Sequence, residues 1–473
     1  LLALLLALPV ALRAADSAYD AAVAQTDRED PAVAGVPAPR RVPRWMDADA
    51  SGRLIADGTY ANERGDVGVV MAGGTVAEVR DQAFFRALGT NGRACVTCHQ
   101  PQDGMSLSVD TVRWMWRATR GADPLFAPVD GTNCPHLPAA APASHSLLLN
   151  RGLIRVFLPW PPRDARGRPL SPDFTLEVVR DPTGCNTHPQ YGLGAASPTV
   201  SVYRRPRPAA NLALAQRAGL MADGRAASLE AQAADAASGH LEAPAPLAAA
   251  QVDAIVAFES QVYVAQVFDN RAGRLVGGAP ATFGPRALEA AAAAAPGIPR
   301  RSDVFPLDAT WRTPAATATM TAARASIGRG HDLFFTRRFR RDDGKATCAS
   351  CHGATAAGLP ASTRGNAAEL RRPVFAARES GAHDAALPLF KVTCRSRRVL
   401  FTEDPGRALI TGRCRDVGVL AAQQLRGLAS RPPYFTNGSA ATLRDVVDFY
   451  DRRFRIGLTD AEKDDLANFL AAL

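Results

Sequence analysis

Apolar and polar positions along the chain predict several helices and few strands. Asp81–Leu88 (DQAFFRAL) carries a short helical pattern that runs into the polar turn Gly89-Thr-Asn-Gly92. Ala325–Phe335 repeats that arrangement, with Ile327, His331, Phe334 and Phe335 on one side of a predicted helix. Leu247–Gln266 is a longer helical pattern. Val252, Ile255, Val256 and Val262 fit its apolar stripe, Glu259 does not, and Pro246 stands where a helix start tolerates proline. Near the end, Thr442–Tyr450 predicts one helix, and Thr459 with Glu462 forms a capping box for another that runs to Leu473. Leu148–Phe157 and Phe174–Val179 are the strand candidates. The rest of 120–210 is rich in Pro and Arg and predicts loops. Pro280, Pro285 and Pro296 put a boundary near 270–320. The expected class is mostly α.

The opening run Leu1–Leu12 is apolar and leads into small residues. It predicts a secretory signal over 1–18, cut around Ala14–Ala18, followed by an irregular leader over 19–60. The run is too short to span a bilayer, and no later stretch is long and apolar enough, so the mature chain is expected to have no membrane span. Export places the protein in the periplasm, an oxidising compartment. With 473 residues and 47% apolar content the chain can bury a large core, which excludes full disorder.

Two pentapeptides change the picture. Cys95-Val-Thr-Cys98-His99 and Cys348-Ala-Ser-Cys351-His352 are both C-x-x-C-H, the attachment motif of haem c. Two thiols one helical turn apart reach the two vinyl groups of one porphyrin, and the adjacent His99 or His352 becomes the proximal iron ligand. With eight Cys and eight His in the chain, chance supplies on the order of 0.002 such motifs. A zinc half-site would lack the adjacent His, and a redox dithiol would need a βαβ setting. The expectation is two covalently bound haem c groups. A helix, a polar loop and the motif occur twice, which suggests an N-terminal haem domain over 61–280 with a loop insertion and a C-terminal one over 281–473. Cys134, Cys185, Cys394 and Cys414 remain. Four cysteines allow three pairings, and keeping each pair within one half favours Cys134–Cys185 and Cys394–Cys414.

The sixth iron position separates electron transfer from peroxide or oxygen chemistry. The candidates for it are Met46, Met71, Met105, Met115, Met221 and Met320, with His136, His145, His188, His240, His331 and His383.

The two motifs in a chain of this size resemble the bacterial di-haem cytochrome c peroxidases and their relatives, among them the enzyme that matures methylamine dehydrogenase and the di-haem rubber oxygenases. Asp223-Gly224-Arg225-Ala-Ala-Ser-Leu229-Glu-Ala-Gln232 is similar to the block between the haems of that family. Leu425-Arg426 and Pro433-Tyr434-Phe435-Thr436-Asn437-Gly438 resemble a second block, and Thr442–Tyr450 with Leu458–Leu470 resembles the C-terminal helices. The likeness covers 210–473 and 80–100 and is poor over 1–60 and 120–200. It implies a distal carboxylate at Glu242, ten residues after Gln232. His240, two residues earlier, is a second candidate for moving a proton between the peroxide oxygens or for a displaceable axial ligand. Where the peroxidases take a Met ligand from the penultimate helix, this chain has Tyr450, as in the maturation enzyme. The Trp that often precedes the DGR block is Ala222 here, preceded by Met221, and the His of the second block is Thr436. This puts the usual route between the haems in doubt. Trp114, Trp116 and Met105 are possible substitutes.

The resemblance implies a peroxidase that reduces H2O2 with electrons from a small redox protein, relayed between the haems. Two alternatives stay open: an electron-transfer cytochrome with both irons six-coordinate, and a di-haem oxidase or oxygenase acting on a protein or polymer. The net charge of +9 does not call for nucleic acid, because four haem propionates offset much of it. Arg225 and Arg426 are candidates to hold those propionates.

Overall fold

The computed structural model describes residues 45–49, 53–54, 57–74, 77–79, 82–215, 220–276, 284–294, 314–341, 344–352 and 384–473. The predicted signal, most of the leader, and His383 lie outside them.

The first core is built on a sheet. Strands β1 (Asp57–Asn62) and β2 (Gly65–Met71) form a hairpin. Gly65 turns it at φ 148°, where a Cβ would collide with the Phe268 carbonyl. Later come helix α1 (Val109–Thr119), helix α2 (Ser146–Arg151), strands β3 (Ile154–Pro159), β4 (Phe174–Arg180) and β5 (Thr199–Arg204), then helices α3 (Leu229–His240) and α4 (Ala249–Gln261). Strand β6 (Val262–Asp269) follows α4 directly and pairs antiparallel with β2. Val67, Val69, Val262 and Val264 of this sheet pack with Phe84, Phe85, Val96, Met105, Ile255 and Phe258 around the first C-x-x-C-H.

The second core is helical. Helix α5 (Ala318–Thr336) crosses the C-terminal helix α8 (Asp460–Ala471), and α7 (Leu443–Phe454) packs beside them. The crossing is close because Gly330 lies on the backbone of α8, where a Cβ would strike the Asp465 carbonyl. Asp465 fastens it further by accepting from Ser326 Oγ at 2.7 Å and Arg329 Nε at 2.7 Å. Thr459 and Glu462 form the expected capping box, and Thr442 caps α7 with Asp445 in the same way. The second motif lies on the one-turn helix α6 (Cys348–Cys351).

The expectation of a mostly α protein is wrong: helix makes up 37% and strand 19% of the structure, in several sheets. The pattern misled at identifiable places. Leu247–Gln266 reads as one helix, but the β-branched and aromatic run Val262-Tyr-Val-Ala continues as β6, since valines at alternate positions serve both periods. In Leu148–Phe157, the leucines complete α2, Gly152 ends it at φ 62°, and only Ile154 onward is extended. Asp81–Leu88 gives one 3-10 turn at Ala83–Phe85.

Strand β4 pairs antiparallel with β7 (Leu389–Cys394), which pairs in turn with β8 (Val399–Thr402), so this sheet takes strands from both halves of the chain. Buried charges tie the same regions together. Arg204, at the end of β5, donates to Asp223 Oδ2 at 2.6 Å and to Asp404 at 2.7 and 2.9 Å, while Arg225 donates to Asp223 at 2.9 Å. Both favoured disulfides are present: Cys134–Cys185 with Cα atoms 5.3 Å apart, and Cys394–Cys414 with 5.7 Å. Among the described residues no helix is long and apolar enough to cross a membrane.

Two predictions follow from this architecture. The disulfides close loops of 51 and 20 residues, so replacing either pair by serine is expected to lower unfolding free energy by about 3–4 kcal/mol, read by denaturant titration. Glu259 is 4% exposed on the core side of α4, its Oε2 has no hydrogen-bond partner among the described residues, and burial raises its pKa from 4.5 to about 8. The folded state therefore holds a proton that the unfolded state releases. Stability is expected to be highest below about pH 4.5 for this group and to fall as pH rises through 8, at about 1.4 kcal/mol per unit. Glu259→Gln should remove that slope from a pH series of unfolding curves.

Candidate haem-binding sites

The first motif forms a 3-10 turn at Cys95–Thr97, capped by Thr97 Oγ1, which accepts from the Ala94 N–H at 3.1 Å. The chain then makes a tight loop. Gly104 (φ 64°) and Met105 (φ 58°) turn it back, so that the Met105 carbonyl lies 3.1 Å from His99 Nδ1. That carbonyl can only accept, so Nδ1 carries the proton and Nε2 is left for a metal. Burial lowers the His99 pKa to about 4, which keeps the ring neutral. Phe84 packs at 6.2 Å from the imidazole. Gln100, fully buried, braces the turn by donating to the carbonyls of Val96 and Met46 at 2.8 and 2.9 Å.

A second segment is stitched to the front of this motif. Asn91 Nδ2 donates to the His240 carbonyl at 2.9 Å and to Glu242 Oε2 at 3.1 Å. Gly89 allows the approach, since a Cβ there would collide with the Leu241 carbonyl. His240 and Glu242, which the family pattern singled out, thus stand beside the first motif across about 150 residues of sequence. Sequence reasoning missed what holds His240. Its Nδ1 is 2.6 Å from Oδ2 of Asp130, a buried carboxylate whose other oxygen pairs with the buried Arg93. Burial raises the Asp130 pKa, but Arg93 and His240 outweigh it and hold the acid ionised. Arg93, two residues before Cys95, was visible as a cation, but no local pattern marks Asp130 in its irregular loop.

At the second motif, Ser350 Oγ accepts from the Thr347 N–H at 3.0 Å and starts the single turn of α6. Burial lowers His352 to about 4, against the opposing effect of the Gln423 carbonyl. Tyr450 on α7 faces this motif, with its ring 6.3 Å from that of His352. Phe435, Phe449 and Phe454 surround it at 5.5–6.1 Å. Burial, then the neighbouring cysteines, push the phenol pKa far up. Thr436, where the family has His, accepts from Gln423 Nε2 at 3.4 Å.

The donor sets fit haem c. The four motif cysteines lie outside the two disulfides, which bridge the other four. Burial keeps Cys95, Cys98 and Cys348 as thiols, with Cys98 and Cys348 pushed up to about 12. Each motif adds a neutral imidazole.

Other candidates are occupied elsewhere. Both His145 nitrogens face carbonyls at 2.8 Å, in a cluster with Trp116 and Phe126. His136 and His188 stack on each other at 4.2 Å and with Tyr191. His331 packs on Phe335 and Phe469. Met71 and Met105 are in the first core, Met46 packs against it, and Met115 and Trp116 are buried around Cys98 with Trp114 alongside. Met221 packs on the small cluster around Leu229, and Met320 lies against Gly273. The Arg225 guanidinium is taken by Asp223 and Asp235. Arg426 is 1% exposed, and burial lowers its pKa to about 9. Ala222 accepts from the Ala421 N–H at 2.8 Å, so its loop touches the C-terminal half.

No family model matches the chain. A curated relative, cytochrome-c peroxidase IdrP1 from Pseudomonas sp. (strain SCT), is 31% identical over 179 residues, covering 33% of this chain and 42% of the relative. The match therefore spans less than half of that relative's length. A solved structure of a MauG-like protein associated with microbial copper homeostasis aligns over 82% of this chain and 85% of its own, at 17% identity and a TM-score of 0.36. The curated match and the two C-x-x-C-H motifs thus make the chain similar, over part of its length, to the di-haem cytochrome c peroxidases.

Proposed function

We propose that this is a periplasmic di-haem c-type cytochrome peroxidase, which takes electrons from a small redox protein and reduces H2O2 to water. The observation that carries this reading is the polar set beside the first motif: His240 oriented by a buried carboxylate, and Glu242 held by Asn91. An electron-transfer cytochrome has no use for an oriented acid/base pair at one motif only. The opening apolar run and the two disulfides support export.

Cys95 and Cys98 would hold one haem with His99 Nε2 toward the iron, and Cys348, Cys351 and His352 would hold the other. Bound there, the haems supply the redox equivalents. Cleaving one peroxide takes two electrons and two protons and yields two waters. The chain's part is to move the protons. His240 Nε2 accepts a proton from one peroxide oxygen and returns it to the other, so that the leaving oxygen departs as water rather than hydroxide. Glu242, exposed and tethered, exchanges protons with solvent. Met105 and Phe84 fix and shelter His99 on the motif side. Tyr450, with its ring 6.3 Å from that of His352, would be the residue of α7 to hold the iron of a haem bound at the second motif. An anionic oxygen donor there would favour ferric and higher-valent iron. That trait fits a peroxidase and also favours the second reading, oxidation of a protein or polymer.

His240→Gln is expected to lower steady-state peroxide turnover about 10²–10⁴-fold with two haems per chain retained, as counted by pyridine haemochrome assay. Unchanged turnover would remove the peroxidase reading of this site. Tyr450→Phe should change the electronic and EPR spectra of the C-terminal haem and leave those of the N-terminal haem alone. Identical spectra would show that Tyr450 packs without ligating.

A further inference from the structure

We propose that Asp130 is the positioning residue of His240: clamped by Arg93, it fixes the imidazole with its proton on Nδ1 and Nε2 as the working nitrogen. The inference rests on the acid/base role given to His240 above. It adds a residue that lies in the segment where family likeness is poor.

The geometry leaves little freedom. Asp130 and Arg93 are each 1% exposed, and an isolated charge at either place would be strongly disfavoured. They neutralise each other through Asp130 Oδ1 and Arg93 Nη1. Arg93 is immobilised by donating from Nε to the Pro124 carbonyl at 2.6 Å and from Nη2 to the Leu125 carbonyl at 2.7 Å. The Asp130 carbonyl in turn accepts from the Arg155 N–H at 2.9 Å. The carboxylate therefore cannot swing, and Oδ2 is aimed at His240 Nδ1 at 2.6 Å, a charge-assisted length. An ionised carboxylate only accepts, so the shared proton belongs to Nδ1. Nε2 of the neutral ring is then a lone-pair acceptor. The same carboxylate steadies the imidazolium formed when Nε2 takes a proton. The His240 carbonyl is fixed independently by Asn91 at 2.9 Å and Arg93 Nη1 at 3.3 Å, so ring and backbone are both held.

The test uses the intact di-haem protein and two ligands of ferric haem. Cyanide arrives as a weak acid and must lose its proton to a base at the site, whereas imidazole binds neutral. In Asp130→Asn, stopped-flow cyanide association is expected to slow about 10–100-fold, as in His240→Gln, while imidazole association stays within about twofold of the native rate. If Asp130→Asn strands the Arg93 charge and fails to fold, Arg93→Gln/Asp130→Asn removes both buried charges together and should give the same split. Equal loss for both ligands would reduce Asp130 to a packing role, and equal retention would remove it from the site. A native protein that binds neither ligand overturns the inference. The native protein's peroxide turnover, measured alongside, keeps the two readings apart. No turnover with the cyanide split intact sinks the peroxidase and leaves Asp130 in place, while turnover without the split does the reverse.

Discussion

The burial of charge around Asp223 is the constraint on which the rest depends. Arg204 is 2% exposed and bridges two carboxylates, Asp223 and Asp404, which lie 19 and 200 residues away in sequence. Arg225 adds a second cation to Asp223, and Arg407 caps the backbone of the same turn at the Asp223 and Gly224 carbonyls. The two cations hold Asp223 well below the usual carboxylate range despite complete burial. Such a cluster is costly to desolvate and costlier to break, since losing one member leaves an uncompensated charge in a dry interior. It fixes where β5, the DGR turn and the loop after β8 meet, and so where the loop of Ala222 lies against the chain at Ala421. The DGR block, similar to that between the haems of the family, serves here as the anchor of this cluster.

Around that anchor the two motif regions carry different chemistry. The first has ionised and protonatable groups held at hydrogen-bond distance: Asp130, His240, Asn91 and Glu242. The second is lined by rings, with Tyr450 among three phenylalanines. A polar set can move protons; an aromatic box can shield a ligand and raise the cost of charge. The asymmetry arises from side chains outside the two pentapeptides.

Much of this was legible in the sequence where signals are local. The C-x-x-C-H spacing, the capping box of Thr459 and Glu462, and the helices around Phe334 and Val447 all depend on residues within a turn or two of each other. Tyr450 and Glu242 were found through family likeness, and the structure does bring them to the two motifs. Strand β4 was legible as Phe174–Val179, but β6 was missed because it follows α4 without a break and its valines satisfy either period, and β7 and β8 because they are short and their partner β4 lies about 200 residues away. Asp130 escaped for a related reason. Its meaning comes from Arg93 and His240, neither of which is its neighbour in sequence. Glu259 showed itself only as the one misfit in an apolar stripe, which is how a buried carboxyl looks before its surroundings are known.

The sheet shared by β4, β7 and β8 bears on how such a chain can be divided. A repeated haem motif suggests two modules that could be cut apart or exchanged with those of other cytochromes. Here a cut between the halves would leave β4 without its partner and β7–β8 as a lone hairpin, which is marginal in water and presents an open edge to other chains. Repetition of a motif and independence of the two halves that carry it are therefore separate properties, and in this protein the pairing of β4 with β7 joins the halves.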